Sequence, residues 1–214
     1  TGIAEATLSR WLRALERKGQ AIFYDPPGTG KTFVAEHLAD HLVSRGNGFK
    51  EVLQFHPAYA YEDFIQGIRP RLAEGGGLTY EIEAGSFLRF CTRAAELGSD
   101  DLCVLILDEI NRANLARVFG ELMYLLEYRD RKMPLAAGGW LQVPGNVRII
   151  GTMNTADRSI ALVDHALRRR FAFLELRPDF ELLRRKLAGQ QDAVDVDALI
   201  RLLEQVNQTI GDPH

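Results

Sequence analysis

The 214-residue sequence predicts an α/β fold: a parallel sheet flanked by helices, followed by a helical appendage. Three observations predict it. Short apolar, strand-like runs alternate with segments of helical periodicity over most of the chain. Leu102–Leu107 and Val147–Thr152 are continuous apolar runs, as expected for strands buried on both faces of a parallel sheet. After Pro178 the pattern is helical only.

The elements follow in order. Leu8, Trp11, Leu12 and Leu15 have helical spacing, and Gly19 ends that helix. Ala21–Tyr24 is a strand, followed by a Pro/Gly-rich turn and a helix from Phe33 to about Ser44 with Val34, Leu38 and Leu42 on one stripe. Glu51–Phe55 is a strand and Tyr61–Gln66 a short helix. Residues 69–83 are interrupted by Gly75-Gly76-Gly77, which predicts a hairpin or loop. A helix over 85–97 and the Leu102–Leu107 strand come next. The pattern then predicts one helix over Asn114–Glu127, with Asn114 as N-cap. Tyr128–Val143 reads as a hairpin, Val147–Thr152 and Phe171–Leu176 as the last strands, and Phe180–Leu187 and Val196–Ile210 as helices. Residues 1–178 therefore read as a nucleotide-binding domain, and residues 179–214 as the beginning of a truncated helical lid.

Composition excludes several classes. The net charge is −3, so no overall basic field draws the chain onto nucleic acid, and DNA contact would need other domains. No apolar run approaches the ~18 residues of a membrane span. Two cysteines far apart in sequence, Cys91 and Cys103, fit a reducing compartment, so a cytoplasmic location is expected. The chain opens on Thr1 and reads as a fragment of a longer protein.

The chemistry starts at Asp25-Pro26-Pro27-Gly28-Thr29-Gly30-Lys31-Thr32-Phe33, between a strand and a helix. That is the context of a phosphate-binding loop. Glycines let backbone N–H groups close round phosphate oxygens, and the helix N-terminus adds positive potential. Lys31 can reach the β- and γ-phosphates, and the Thr32 hydroxyl can ligate Mg2+. Pro27, Gly28, Thr29, Gly30 and Phe33 complete the predicted nucleotide contacts. Asp25 stands where such loops begin with glycine. A carboxylate ~6 Å from a phosphate repels it by roughly 2–3 kcal/mol at an effective dielectric near 20, so Asp25 either turns outward or weakens binding.

Leu102–Leu107 runs into Asp108-Glu109. Asp108 is the second candidate for Mg2+, and Glu109 the candidate for polarising the attacking water. Val147–Thr152 leads into Met153-Asn154, whose amide can hold that water or the γ-phosphate. In a parallel sheet all of these lie where strands end, the edge at which such folds bind ligands. Arg168-Arg169-Arg170 ends a short helix begun by Val163-Asp164. Three arginines cannot all reach their own chain's phosphates. A ring in which one subunit lends Arg169 and Arg170 to its neighbour resolves this.

Several stretches resemble McrB-type AAA+ NTPases, the motor subunits of modification-dependent restriction systems. They are Phe55–Gly67, Asp108-Glu109-Ile110-Asn111-Arg112-Ala113-Asn114, the loop Met153-Asn154-Thr155-Ala156-Asp157-Arg158-Ser159, and Ala166–Phe171. The resemblance covers residues 8–178, and the Met153–Ser159 loop is its most specific part. It implies a hexameric ring using ATP or GTP with Mg2+, and an McrC-like partner that stimulates hydrolysis and brings a nuclease. It makes Asn154 the residue that positions water, with Asp157 and Arg158 organising its loop or contacting nucleotide or partner. A MoxR-like protein-remodelling ATPase shares Lys31, Asp108, Glu109 and Asn154. A nucleotide-binding scaffold weakened by Asp25 is the third reading.

Overall fold

Helix α1 (Glu5–Lys18) buries Trp11 and Leu15. It stops where Gly19 turns left-handed (φ 74°) and its N–H donates to the Leu15 carbonyl at 2.7 Å. Trp11 meets Phe23 edge-on, with ring centroids 4.9 Å apart. That contact seats α1 on strand β1 (Gln20–Asp25). Helix α2 (Lys31–Val43) buries Val34, Ala35, Leu38, Ala39 and Leu42. The computed structural model describes residues 3–72, 76–155, 165–177, 198 and 201–202. Ile3–Glu175 form one compact unit, and a second begins at Leu176.

The remaining elements of the first unit are β2 (Lys50–Gln54), α3 (Tyr61–Phe64), β3 (Gln66–Leu72), β4 (Leu78–Ala84), α4 (Ser86–Ala95) and β5 (Cys103–Asp108). A 3-10 turn (Ile110–Arg112) leads to α5 (Leu115–Phe119), α6 (Leu122–Leu125), β6 (Lys132–Pro134), β7 (Trp140–Gln142), β8 (Val147–Asn154), α7 (His165–Arg170) and β9 (Ala172–Glu175). Five strands form a parallel sheet in the order β2-β5-β8-β1-β9. The expected parallel α/β architecture is therefore present. The interruption at 75–77 falls between the paired strands β3 and β4, and the 128–143 segment forms the β6–β7 hairpin.

The sheet is buried on both faces, which is why its central strands read as unbroken apolar runs. Cys103, Leu105, Leu107, Ile22 and Ile149 join a core with Phe55, Phe64, Phe87, Phe90, Phe119 and Phe171. Their neighbours in sequence, Val104, Ile106, Ala21, Phe23 and Ile150, are also buried, on the side of α1 and α2.

One expected element is corrected. The single helix over Asn114–Glu127 is two, α5 and α6, although Asn114 does cap the first by accepting the Arg117 N–H at 3.2 Å. The break is Gly120, at φ 46° and ψ −122°, a conformation suited to glycine. A Cβ there would stand 2.8 Å from the Tyr61 ring, so the close approach of α3 demands glycine as well. The helices expected after Pro178 lie outside the described residues, except for helical positions 198, 201 and 202.

Candidate functional site

The site grows out of the C-terminal ends of three adjacent strands, β5, β8 and β1. Asp25 ends β1 in register with Asn154, which ends β8. Leu107 of β5 is level with Gly151 of β8, so Asp108 stands at the height of Thr152. Among the described residues this sheet edge collects Lys31, Thr32, Asp108, Glu109 and Asn154, as the sequence predicts.

Gly28 and Gly30 adopt left-handed φ of 86° and 81°, and the turn they make with Pro27 and Thr29 delivers the chain into α2. An added Cβ at either glycine would touch nothing within 4 Å, so backbone conformation rather than crowding requires them. The first N–H groups of α2 have no partner within the helix and can serve an anion. Lys31 is only 6% exposed. Its Nζ donates to the carbonyls of Asp25 (2.9 Å) and Pro26 (2.6 Å) and to Thr29 Oγ1 (3.2 Å). Burial lowers its pKa, and the charges of Asp25 and Asp108 oppose that shift. Phe33 is exposed and packs on His37, ring centroids 4.0 Å apart.

Asp25 continues β1 without positive φ, so its backbone does not require the glycine expected there. Its Oδ2 is shielded from solvent and its charge acts on Lys31. At least one carboxylate oxygen therefore faces inward. Its carbonyl also accepts the Thr155 N–H at 3.0 Å, tying the phosphate loop to the end of β8.

The Thr32 hydroxyl donates to Asp108 Oδ1 at 2.8 Å. A hydroxyl and a carboxylate, both hard oxygen donors, thus share one point. Among the described residues no cluster of three or more His, Cys, Asp or Glu could hold a metal. One carboxylate and one hydroxyl suit Mg2+, which keeps waters and takes further oxygens from substrate phosphates. The donor set fits that ion, with Thr32 and Asp108 holding it; bound there, it would neutralise charge on the phosphates.

Glu109 is the one non-glycine residue with positive φ among the described residues (φ 53°, ψ 44°). That conformation costs about 1–2 kcal/mol for an L-residue. Its Oε2 pairs with Arg112 Nε at 2.8 Å and lies 3.5 Å from Gln54 Nε2. Both contacts are made by the same carboxylate oxygen, Oε2. Asn111 Nδ2 donates to the Asn154 carbonyl at 3.3 Å, linking the turn after β5 to the end of β8. Asp157 and Arg158 lie outside the described residues.

The arginine segment occupies the opposite edge of the sheet. Gln20 opens β1 and donates to the Arg170 carbonyl at 2.7 Å, whereas Asp25 closes β1. Five residue steps of strand separate the two ends, about 17 Å. Arg170 is mostly buried and pairs with Glu127 at 2.8 Å, so it is engaged within its own chain. Arg168 and Arg169 are exposed; the Arg168 guanidinium stands 5.8 Å from the centre of the Phe173 ring, and the Arg169 carbonyl accepts from Lys18.

The AAA domain (dynein-related subfamily) profile matches residues 21–171, from the second residue of β1 to the residue before β9. The chain belongs to the AAA family. Within it, the chain is 41% identical to the Type IV methyl-directed restriction enzyme EcoKMcrB subunit of Escherichia coli K12, over 98% of this chain and 47% of that protein. It is 27% identical to the Type II restriction enzyme BsuMI component YdiS of Bacillus subtilis 168, over 76% of this chain and 57% of that protein. The AAA chain thus spans about half the length of these relatives. NtrX from Brucella abortus shares the fold at a TM-score of 0.50 and 16% identity, over 98% of this chain and 50% of that one. No described helix of the AAA chain is long and apolar enough to cross a membrane.

Two participants escape sequence reasoning. Arg112 holds Glu109, and Thr152 touches both acids. The signal for Thr152 is a hydroxyl inside an apolar strand, a group that demands a partner when buried.

Proposed function

We propose that this chain is the hydrolytic module of a restriction motor. It cleaves the β–γ bond of ATP or GTP with Mg2+, in a homo-oligomeric ring, most simply a hexamer. An McrC-like nuclease subunit is its partner, and the assembly serves phage defence in the cytoplasm. DNA is contacted through domains other than this one. The observation that carries the reading is the meeting of Lys31, Thr32, Asp108, Glu109 and Asn154 at one sheet edge. The relationship to two restriction-enzyme components supports the cellular role.

The geometry supports the following residue roles. The loop Pro27–Gly30 and the first turn of α2, including Phe33, wrap the phosphates. Lys31 turns from the Pro26 carbonyl to the γ-phosphate, and Thr32 and Asp108 hold the ion. Glu109, released from Arg112, takes the proton of the attacking water, which Asn154 orients. Arg169 serves the neighbouring subunit, and Arg170 joins it only by leaving Glu127.

The test is turnover of ATP and of GTP by the protein and by Glu109→Ala. Wild type should hydrolyse at least one of them, and the variant should fall by ~10²–10⁴ while still binding. Equal rates in the two proteins overturn the reading and favour a scaffold.

A further inference from the structure

We propose that Thr152 is a positioning residue that sets both acids of the site at once, holding the Asp108 carboxylate through its hydroxyl proton and the Glu109 backbone through its lone pair. The proposal rests on the hydrolytic reading above and adds a residue to it.

Thr152 is 2% exposed, in the strand between the one that ends in the acids and the one that ends in the phosphate loop. Its Oγ1 lies 2.6 Å from Asp108 Oδ1 and 3.1 Å from the Glu109 nitrogen. A hydroxyl has one proton and two lone pairs, and an N–H can only donate. The Glu109 N–H therefore fills a lone pair, and the hydroxyl proton goes to Asp108. Both bonds have one possible direction, so the pair is a fixed relay rather than a rotating contact. A β-branched side chain in a strand also has few rotamers.

The consequence for Asp108 is two hydroxyl donors on a single oxygen, from Thr152 and from Thr32. Thr32 must also offer its oxygen to the ion, whereas Thr152 does not move with the ligand. Thr152 is thus the permanent anchor of the metal-binding carboxylate. For Glu109 the consequence is conformational. Its left-handed backbone is held from one side by Thr152 and from the other by the Arg112 N–H, which donates to the Glu109 carbonyl at 2.9 Å. Loss of the Thr152 bond lets this residue relax toward ordinary φ, which swings its carboxylate.

Strand β8 thereby serves both halves of the site. Thr152 reaches the acids on β5, and the Thr155 N–H reaches the Asp25 carbonyl on β1. The packing around it leaves little slack: a Cβ on Gly151 would come within 3.0 Å of Ile22 Cγ1 and 3.3 Å of Ile110 Cδ1.

Thr152→Val keeps the volume and the branch and removes the relay. Supporting residues of this kind change metal affinity or activity by ~10–100-fold. The expected result is a kcat lower by ~10–100-fold, with KM for nucleotide changed less than about twofold. Mn2+ affinity, read by electron paramagnetic resonance with a non-hydrolysable triphosphate bound, should weaken several-fold. Thr152→Ser should recover most of both. Thr152→Ala serves if the valine variant does not fold.

A purely structural threonine would shift the thermal midpoint and leave kcat and Mn2+ affinity of the folded protein within twofold of wild type; that result overturns the proposal. Wild-type turnover measured against Glu109→Gln separates the two levels. Active wild type with an unchanged Thr152→Val refutes Thr152 alone. A wild type no faster than Glu109→Gln refutes the hydrolytic reading and this proposal with it.

Discussion

The two edges of the central sheet treat polar groups in opposite ways. At the N-terminal edge, side chains are locked onto main-chain carbonyls. Arg129 donates to the Val147 and Gly19 carbonyls (2.9 and 3.1 Å) and to Gln20 Oε1 (2.5 Å). Gln20 in turn donates to the Leu126 and Arg170 carbonyls. Asn146 donates to three more carbonyls, those of Ala94, Gly98 and Asp101. At the C-terminal edge, Thr32, Asp108 and Thr152 face one another, Lys31 rests on loop oxygens, and Glu109 is held strained against Arg112. Gln20, Arg129 and Asn146 each bridge carbonyls from separate parts of the chain, so none can turn without breaking several bonds at once. A lysine on a loop, or a glutamate on a neighbouring arginine, can exchange partners at small cost. One edge is built to stay and the other to be rearranged by a ligand.

The arginine segment breaks this division, and its test has the largest expected effect. Arg169 lies at the fixed edge, far from its own phosphate loop, yet is exposed. If it completes the neighbour's site, Arg169→Ala should lower turnover by ~10³-fold or more with nucleotide binding retained. Mixing it with Glu109→Gln protein should restore turnover, because each variant supplies what the other lacks across a shared interface. Absence of recovery on mixing, measured as phosphate release against mixing ratio, refutes the role in trans.

Next in size is Lys31→Met, which sharpens the contrast from the other edge. Turnover should fall by on the order of 10²–10³-fold, the loss seen when one charge-stabilising donor is removed. Stability should not fall with it. Burial lowers the Lys31 pKa from its ordinary 10.5, so the folded protein binds this proton less tightly than the unfolded chain. At neutral pH the folded state therefore carries the cost of keeping the charge. That cost fades as pH rises through the folded pKa toward 10.5. The ligand-free variant should be at least as stable as wild type at pH 7, and its relative advantage should shrink in alkaline solution. Urea unfolding at several pH values checks both; a variant clearly less stable at pH 7 contradicts the argument.

The contrast also explains what could be read in advance. The rearrangeable edge was legible because its chemistry is local. Gly28–Thr32 is contiguous, Asp108-Glu109 ends an apolar run, and Asn154 follows another. The parallel sheet was legible because burial on both faces leaves unbroken runs such as Cys103–Leu107. What escaped depends on distant partners. Leu115, Val118, Phe119 and Leu122 keep helical spacing across Gly120, and one glycine costs a helix only about 1 kcal/mol, so nothing local announces the break that Tyr61 imposes. Arg170 looked like Arg169 until Glu127, 43 residues earlier, was found beside it. Thr152 announced that it had a partner without saying which.

The smallest predicted effect tests the fixed edge itself. The Arg129 guanidinium is enclosed enough that burial pushes its pKa down to about 10, with nearby Arg148 adding to the shift. At that value it is still charged at neutral pH, with the Val147, Gly19 and Gln20 oxygens accepting from it. Arg129→Met keeps much of the stem's packing and removes the donors. The Val147 and Gly19 carbonyls keep a second donor each, Arg148 Nη1 at 3.0 Å and the Ile149 N–H at 3.1 Å, whereas the Gln20 amide oxygen loses its partner. One buried unsatisfied acceptor costs about 1–3 kcal/mol, and relief of the buried charge offsets part of it. The net loss should be about 1–2 kcal/mol in urea unfolding. At a temperature where the variant is folded, nucleotide affinity should match wild type, because no atom of this cluster reaches the other end of β1. A variant that unfolds normally but binds nucleotide poorly would mean that the two edges communicate through the strand. Rigidity at one end would then be a working part of the site at the other.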